Sequence, residues 1–178
     1  TYAKAGKSSG TNQSEAYLNY TKLNAQRMRR LHKTAVLTDQ MKQGLSAIEE
    51  KQHWFILTES WCGDAANILP FFMNMEQENK HIQLYFLLRD ENPDLMNQFL
   101  TNGGKSIPKI IATDIDGNTL FDWGPRPKPA QAMYDQWRNS VEKAPYQEVQ
   151  VALQKWYNND KGETLQREWQ ELMDNSLA

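Results

Sequence analysis

The feature that most constrains the fold is an alternation of short apolar segments with amphipathic ones in the middle of the chain. The apolar segments are rich in β-branched and aromatic residues, and the segments between them space their apolar residues as helices do. The strands are predicted at residues 54–58, 81–88, 109–113 and 119–123. The last two are separated by Asp-Ile-Asp-Gly-Asn, which is typical of a hairpin turn. The predicted order is β-α-β-α-β-β-α, which indicates an α/β fold.

The second predicted strand is apolar on both of its faces. Residues 82–88 read Ile-Gln-Leu-Tyr-Phe-Leu-Leu, without the strict alternation of a strand that has one face in water. Such continuous apolar runs are typical of parallel strands that are covered on both sides. The sequence therefore predicts a buried parallel strand at this position.

Helical segments are predicted on either side of this alternating region. Tyr17, Tyr20, Met28 and Leu31 fall near helical spacing, and Thr38 is placed to cap a second helix. Two further amphipathic segments follow Pro145. The resulting division of the chain is a flexible N-terminus at 1–13, an N-terminal helical extension at 14–52, a core at 53–142, and C-terminal helices packed on the core at 143–178.

Charge and hydropathy argue against several classes of function. The chain has 20 basic and 22 acidic residues and a formal net charge of −2, which provides no electrostatic basis for binding nucleic acid. No apolar run approaches the roughly 20 residues that cross a bilayer. Residues 1–10 are polar and lack the apolar core of a signal peptide. We therefore expect a cytoplasmic protein without a membrane partner, and the sequence leaves its oligomeric state open.

The sequence contains no convincing metal or cofactor motif. His32, His53 and His81 lack the spacing of metal ligands. The Gly-Lys-Ser at residues 104–106 resembles the end of a phosphate loop, but the position of the earlier glycine is occupied by Phe99. We therefore expect neither a metal site nor a bound cofactor. The chain has one cysteine, so it cannot form an internal disulfide.

That cysteine, Cys62, lies between the first predicted strand and the helix that follows it. The carboxyl ends of strands are where open α/β sheets bind ligands. The free N–H groups and the dipole of a helix amino end favour a thiolate, which is the nucleophilic form of cysteine. A nearby exposed carboxylate, Asp64, would repel that thiolate. We therefore expect the pKa of Cys62 to be only modestly lowered, on the order of 7 to 8.

Several motifs in the right order resemble thioredoxin. They are Trp61-Cys62-Gly63 at a strand-to-helix turn, Pro70 eight residues after the cysteine, and Ile107-Pro108 before the third strand. The closest likeness is to bacterial thioredoxin-family proteins with a long N-terminal helical extension, which share the segments at residues 59–64 and 100–108. The resemblance covers residues 53–142 well and the first helix more loosely. It implies a thioredoxin-like fold, with a four-stranded mixed sheet flanked by helices and extra N- and C-terminal helices.

The resemblance also implies roles for individual residues. Cys62 would be the catalytic nucleophile, and Pro108 would be the cis-proline that faces it across the site. The backbone of Ile107 would be free to pair with an extended substrate peptide, and Trp61 would form one wall of the site. The implied substrate-binding residues are Trp61, Gly63, Asp64, Ala65, Ile107 and Pro108.

The sequence departs from the family pattern at residues that carry the chemistry. Ala65 stands where the family has its second cysteine, so no second thiol could resolve a mixed disulfide formed by Cys62. Ile56 stands where thioredoxin has a buried acid that assists proton transfer. Two main hypotheses remain open. One is monothiol exchange with a protein or low-molecular-weight thiol or disulfide, and the other is a non-catalytic binding or adaptor module. A disulfide-linked dimer through Cys62 is a third alternative.

Overall fold

The computed structural model describes residues 1–177 and places seven α-helices and four strands within them. The helices are α1 (Glu15–Thr34), α2 (Asp39–Ser46), α3 (Gly63–Glu78), α4 (Pro93–Gln98), α5 (Lys128–Asn139), α6 (Tyr146–Asp160) and α7 (Glu163–Leu177). The strands are β1 (Gln52–Thr58), β2 (Ile82–Leu88), β3 (Lys109–Thr113) and β4 (Thr119–Trp123). Within the described residues, no helix is both long and apolar enough to cross a membrane.

The four strands form one mixed sheet in the order β2-β1-β3-β4. β2 runs parallel to β1, whereas β3 is antiparallel to β1 and β4 is antiparallel to β3. The parallel pair is connected by α3, and the antiparallel pair β3–β4 is connected by the predicted short turn. The sequence prediction of a four-stranded mixed sheet in a β-α-β-α-β-β-α order is therefore confirmed.

The position of β2 in the sheet differs from the sequence prediction. β2 lies at the edge, and its Phe86 side chain is 48% exposed. An edge strand has a neighbour on one side only, so an apolar run there is covered less completely than in the centre. The strand that is buried throughout is instead β3, between β1 and β4. The prediction of a fully buried second strand is thus wrong, although its parallel pairing is correct.

An aromatic cluster joins the sheet to helices from both halves of the chain. Trp54 of β1, Phe72 of α3 and Trp169 of α7 are all fully buried. The ring centroid of Trp169 lies 4.8 Å from that of Trp54 and 4.7 Å from that of Phe72, with the rings edge to face. Aromatic pairs at such distances contribute about 0.5–1.5 kcal/mol beyond the burial of their area. The last helix is therefore part of the core rather than an appendage.

The helix α2 is joined to this core by hydrogen bonds at both of its ends. The Thr38 hydroxyl accepts a hydrogen bond from the backbone N–H of Met41 at 3.1 Å, which confirms the predicted cap. The backbone N–H of Thr38 donates to the Gln166 side chain of α7 at 2.8 Å. At the other end of α2, the Asn79 amide donates to the carbonyls of Leu45 and Ile48 at 2.6 and 2.9 Å.

The segment before α1 is held against the turn that follows β1. Ser8 and Ser9 are buried, at 2% and 0% exposure, although composition predicted a flexible N-terminus over residues 1–13. The backbone N–H of Ser9 donates to the Ser60 hydroxyl at 2.9 Å, and the backbone N–H of Ser60 donates to the Ser9 hydroxyl at 2.8 Å. The Ser9 hydroxyl also donates to the buried carboxylate of Glu59. The small polar residues satisfy buried polar groups here, a role that composition alone does not reveal.

Candidate functional site

The structure places Cys62 at the turn between β1 and α3. Its backbone has extended dihedral angles, φ −76° and ψ 113°, and it is the residue that caps α3. The backbone N–H of Cys62 donates to the Glu59 carbonyl at 3.1 Å. The Cys62 sulfur accepts a hydrogen bond from the backbone N–H of Ala65 at 3.4 Å. The sulfur therefore takes the position in which Ser, Thr or Asp oxygens usually cap a helix.

The helix α1 holds this turn in place through polar side chains. The Asn24 amide donates to the Ser60 carbonyl at 3.1 Å, and the hydroxyls of Thr21 and Ser60 lie 2.9 Å apart. Both Thr21 and Asn24 are buried. The apolar spacing of α1 identified the helix but not these two residues, because polar residues in a helix usually face water.

The Cys62 thiol is buried and hydrogen-bonded. Cys62 is 7% exposed, and its thiol donates a hydrogen bond to the Ile107 carbonyl at 3.4 Å. Burial raises the pKa of Cys62 to about 12, and the negative charge of Asp64 contributes to the increase. The N–H of Ala65 and the charge of Arg126 lower the pKa but do not offset the burial. The sequence expectation of a modestly lowered pKa is therefore wrong, because it considered the helix end and not the loss of water.

Asp64 forms a buried ion pair rather than an exposed charge. One carboxylate oxygen lies 2.7 Å from a guanidinium nitrogen of Arg126, and the two side chains are only 12% and 10% exposed. The hydroxyl of Tyr157, from α6, donates to the other carboxylate oxygen at 2.8 Å. Burial raises the pKa of the Asp64 carboxyl, and the charge of Arg126 and the hydrogen bond from Tyr157 oppose this rise. The pair connects the start of α3 with the loop after β4 and with α6.

The segment that carries Arg126 packs closely on the segment that carries Pro108. The Ile107–Pro108 and Gly124–Pro125 peptide bonds are both cis. Gly124 has φ +119°, and a side chain there would place its Cβ 2.3 Å from the Pro108 carbonyl oxygen. Only glycine permits this approach of one backbone to another. The close contact brings the residues after Gly124, including Arg126, to the side of Cys62.

A cavity of about 550 Å³ lies in front of the Cys62 sulfur. Trp61 forms one wall, with its ring 5.1 Å from that of Tyr17 and with the guanidinium of Arg89 5.2 Å from its centroid. Tyr146, at the start of α6, lines the opposite part together with residues of α5. Helices from both ends of the chain therefore shape the space next to the cysteine.

The structure separates the predicted site residues into two groups. Four of them line the cavity, namely Trp61, Cys62, Asp64 and Ile107. Gly63, Ala65 and Pro108 do not line it, and Ala65 is buried at 3% exposure beneath the turn. Within residues 1–177, no group of three or more His, Cys, Asp or Glu side chains is arranged to hold a metal ion.

Sequence reasoning missed the residues that enclose the cavity from the second half of the chain. The main ones are Arg126, Tyr134 and Tyr146. The guanidinium of Arg126 lies 4.1 Å from the ring centroid of Tyr134, which fixes both side chains. One signal was available in the sequence: Arg126 stands between Pro125 and Pro127, so its backbone is unusually restricted. Nothing in the sequence indicates that α6 crosses this side of the molecule.

A family model described as Thioredoxin matches residues 10–138 of the chain. The match includes α1 and α2 as well as the sheet and its helices, and it ends before α6 and α7. No curated protein sequence matches the chain. The residues that α6 contributes to the cavity therefore lie outside the matched region.

Two solved structures resemble this one in fold. A protein of unknown function from Pseudomonas aeruginosa is 19% identical, with a TM-score of 0.62 over 89% of this chain and 86% of that chain. An HIV epitope scaffold is 18% identical, with a TM-score of 0.60 over 88% of this chain and 86% of that chain. At these identities the likeness concerns the fold alone. Both alignments extend over most of the chain, including parts of it that the family model does not cover.

Proposed function

The chain belongs to the thioredoxin family, and we propose that it is a binding protein that holds a ligand in the cleft at Cys62 without catalysing disulfide exchange. The observation that carries this proposal is the environment of the thiol. Cys62 is buried, its hydrogen is donated to the Ile107 carbonyl, and its pKa is raised to about 12. This favours the binding-module hypothesis over monothiol exchange.

The raised pKa removes the reactive form of the cysteine. A thiol with a pKa near 12 is ionised to about one part in 100,000 at pH 7, whereas a free cysteine of pKa about 8.5 is ionised to about 3%. Disulfide exchange proceeds through the thiolate, so the loss of that fraction would slow the reaction, and the higher nucleophilicity of a more basic thiolate would offset this only in part. Ala65 provides no second thiol, and Ile56 provides no acid to move a proton. Three separate features therefore oppose turnover.

The family's mode of peptide binding is also altered at Ile107. In that mode the backbone before the cis-proline is free to pair with an extended peptide. Here the Ile107 carbonyl already accepts a hydrogen bond from the Cys62 thiol, and Ile107 is only 6% exposed. A ligand of the cleft would therefore occupy the cavity between Trp61 and α6 rather than extend the sheet. In this proposal, Trp61 forms a wall of the cavity, Asp64 anchors α6, and Cys62 supports the cavity floor.

Monothiol exchange is the second candidate, and one observation favours it. Cys62 lines the cavity, and both Arg126 and the N–H of Ala65 lower its pKa. In that reaction the Cys62 thiolate would attack one sulfur of a low-molecular-weight disulfide and release the other sulfur as a thiolate. A second small thiol would then attack the mixed disulfide and restore Cys62.

The rate of Cys62 alkylation as a function of pH tests the proposal. The folded protein is treated with iodoacetamide between pH 6 and pH 11, and the product is followed by intact mass. We expect a rate at pH 7.5 at least about a hundredfold below that of the same protein in urea, and a midpoint well above the free value of about 8.5. The Cys62→Ser variant measures the alkylation of other side chains at each pH, and its rate is subtracted as the control. A fast reaction with a midpoint at or below 8.5 would overturn the non-catalytic proposal and favour monothiol chemistry.

A further inference from the structure

We propose that the ligand of this cavity is a small organic anion with a flat aromatic body, such as an aromatic carboxylate. This inference rests on the proposed binding function and specifies the ligand class. It is carried by the size of the cavity, by the rings that line it and by its surplus of positive charge.

The dimensions of the cavity fit a small molecule. Pockets that bind small ligands are usually about 300–1,000 Å³ in volume, and this one has about 550 Å³. Residues of α1, α5 and α6 line it, and the Tyr20 hydroxyl of α1 donates to Gln150 of α6 at 3.4 Å. At the base of the cavity, the Cys62 thiol donates a hydrogen bond to the Ile107 carbonyl. The base therefore offers few free hydrogen-bonding groups, so the side chains that form the walls would provide most contacts to a ligand.

The walls of the cavity are rich in aromatic side chains. Five rings line it, namely Tyr17, Tyr20, Trp61, Tyr134 and Tyr146. On one side, the ring of Tyr17 lies 5.1 Å from that of Trp61 and 6.5 Å from that of Tyr20. Tyr134 and Tyr146 come from the other side. Aromatic rings prefer to contact a flat apolar body by stacking or edge-to-face packing, and the tyrosines keep a polar hydroxyl for solvent or ligand.

The charges around the cavity favour an anion. Its lining contains four basic and two acidic side chains, namely Arg89, Lys105, Arg126 and Arg138 with Asp64 and Asp135. Asp64 is neutralised by its ion pair with Arg126, and Arg89 is paired with Asp90 at 2.9 Å. Lys105 and Arg138, both exposed at the edge of the cavity, form no ion pair with any residue that the structure describes. Clustered bases around a concave surface raise the local concentration of anions and bind carboxylates by charge-assisted hydrogen bonds.

Arg126 provides a second indication that is independent of the charge count. Its Nε atom is buried and has no hydrogen-bond partner among residues 1–177, although the side chain lines the cavity. A buried donor that lacks a partner costs about 1–3 kcal/mol. A turn of the guanidinium toward the cavity would let a ligand oxygen supply the missing acceptor.

A matched pair of fluorescent probes tests the inference. 8-Anilinonaphthalene-1-sulfonate and N-phenyl-1-naphthylamine share an aromatic body, and only the first carries a negative charge. We expect wild-type protein to bind the anionic probe at least about tenfold more tightly than the neutral one, because one tenfold step corresponds to about 1.4 kcal/mol. Both titrations are repeated in the Cys62→Ala variant, which separates ligand binding from thiol chemistry. Equal affinity for the two probes would overturn the inference.

Two variants locate the binding at this cavity. The double substitution Lys105→Gln and Arg138→Gln should weaken the anionic probe at least about fivefold and leave the neutral probe within about twofold. The control is Lys42→Gln with Lys51→Gln, which makes the same change in net charge at exposed residues outside the cavity. Tyr146→Ser should weaken both probes. If both double variants lost the same affinity for the anionic probe, the overall charge of the protein would explain the loss, and the inference would be overturned.

The outcomes separate this inference from the proposed function. Slow alkylation with no preference for the anionic probe would leave the binding proposal standing and overturn the ligand class. Fast alkylation with a clear preference for the anionic probe would overturn the non-catalytic proposal. In that case the anion would be a ligand beside a reactive thiol, and the substrate of the thiol reaction would have to carry a disulfide bond.

Discussion

Asp64 and Arg126 form a buried ion pair, and removal of one charge should be strongly destabilising. The Asp64→Asn substitution keeps an oxygen that can accept the hydrogen bond from Tyr157, but it removes the charge and puts an NH2 donor in place of the oxygen that faces Arg126. It leaves the guanidinium of Arg126 with 10% exposure and no countercharge. Breaking a buried pair in this way costs about 3–5 kcal/mol. For a domain of this size, 1 kcal/mol corresponds to about 2–4 °C, so the Tm should fall by about 6–20 °C.

A double-mutant cycle distinguishes a coupled pair from two separate contributions. Asp64→Asn, Arg126→Gln and the double variant are unfolded in urea, and the free energies of unfolding are compared. We expect the double variant to lose at least about 1 kcal/mol less than the sum of the single losses, because neither charge is then left alone in a buried site. Asp135→Asn is the matched control, since Asp135 also lines the cavity but forms no ion pair with a described residue. That control should change stability by less than about 0.5 kcal/mol.

The same variants report on the thiol. The charge of Asp64 raises the pKa of Cys62, and the charge of Arg126 lowers it. Asp64→Asn should therefore lower the alkylation midpoint of Cys62, whereas Arg126→Gln should raise it. Additive stability losses in the cycle, or a loss below about 1 kcal/mol for Asp64→Asn, would refute the reasoning that the pair is buried and coupled.

Three further substitutions test the core, a turn and the pH dependence. Trp169→Ala removes a fully buried ring and should cost about 3–5 kcal/mol in urea unfolding. Gly162→Ala should lower the Tm, because Gly162 has φ +81° and a Cβ there would lie 2.2 Å from the Phe71 ring; an unchanged Tm would contradict this geometry. Cys62 has its pKa raised from 9.0 to about 12, so its stability contribution is complete below pH 9 and is lost as the pH rises toward 12. The stability of wild type relative to Cys62→Ala should therefore fall by about 1.4 kcal/mol per pH unit above pH 9, and a pH-independent difference would mean that the thiol is not buried.

The parts of the fold that were predicted correctly depend on local signals. The spacing of apolar residues marks strands and helices because each element repeats with its own period. Thr38 was identified as a cap because the interaction involves an N–H only three residues later. The turn at Cys62 was found because it joins two such elements and because its motif resembles thioredoxin. The exposure of Phe86 was not predicted, since an apolar run does not reveal whether its strand lies at an edge.

The candidate site could be predicted only in part, because only some of its residues are close together in the sequence. Trp61, Cys62 and Asp64 are consecutive or nearly so, and the motif places them together. Their partners Arg126 and Tyr157 come from distant segments, and the Ile107 carbonyl that binds the thiol comes from the loop before β3. The residues that decide the charge state of the site were therefore the ones that sequence reasoning missed.

The amino-acid sequence by itself determined the order of the elements, the family, and the presence of one cysteine at a strand-to-helix turn without a second thiol. Only the tertiary structure showed that this cysteine is buried and hydrogen-bonded to the Ile107 carbonyl. The helix end alone would favour a thiolate, but burial raises the pKa of Cys62, and residues of α1, α6 and the loop after β4 line the cavity beside it. Desolvation depends on every atom that packs nearby, whatever its position in the chain. A local pattern can therefore locate the thiol, but it cannot assign its pKa.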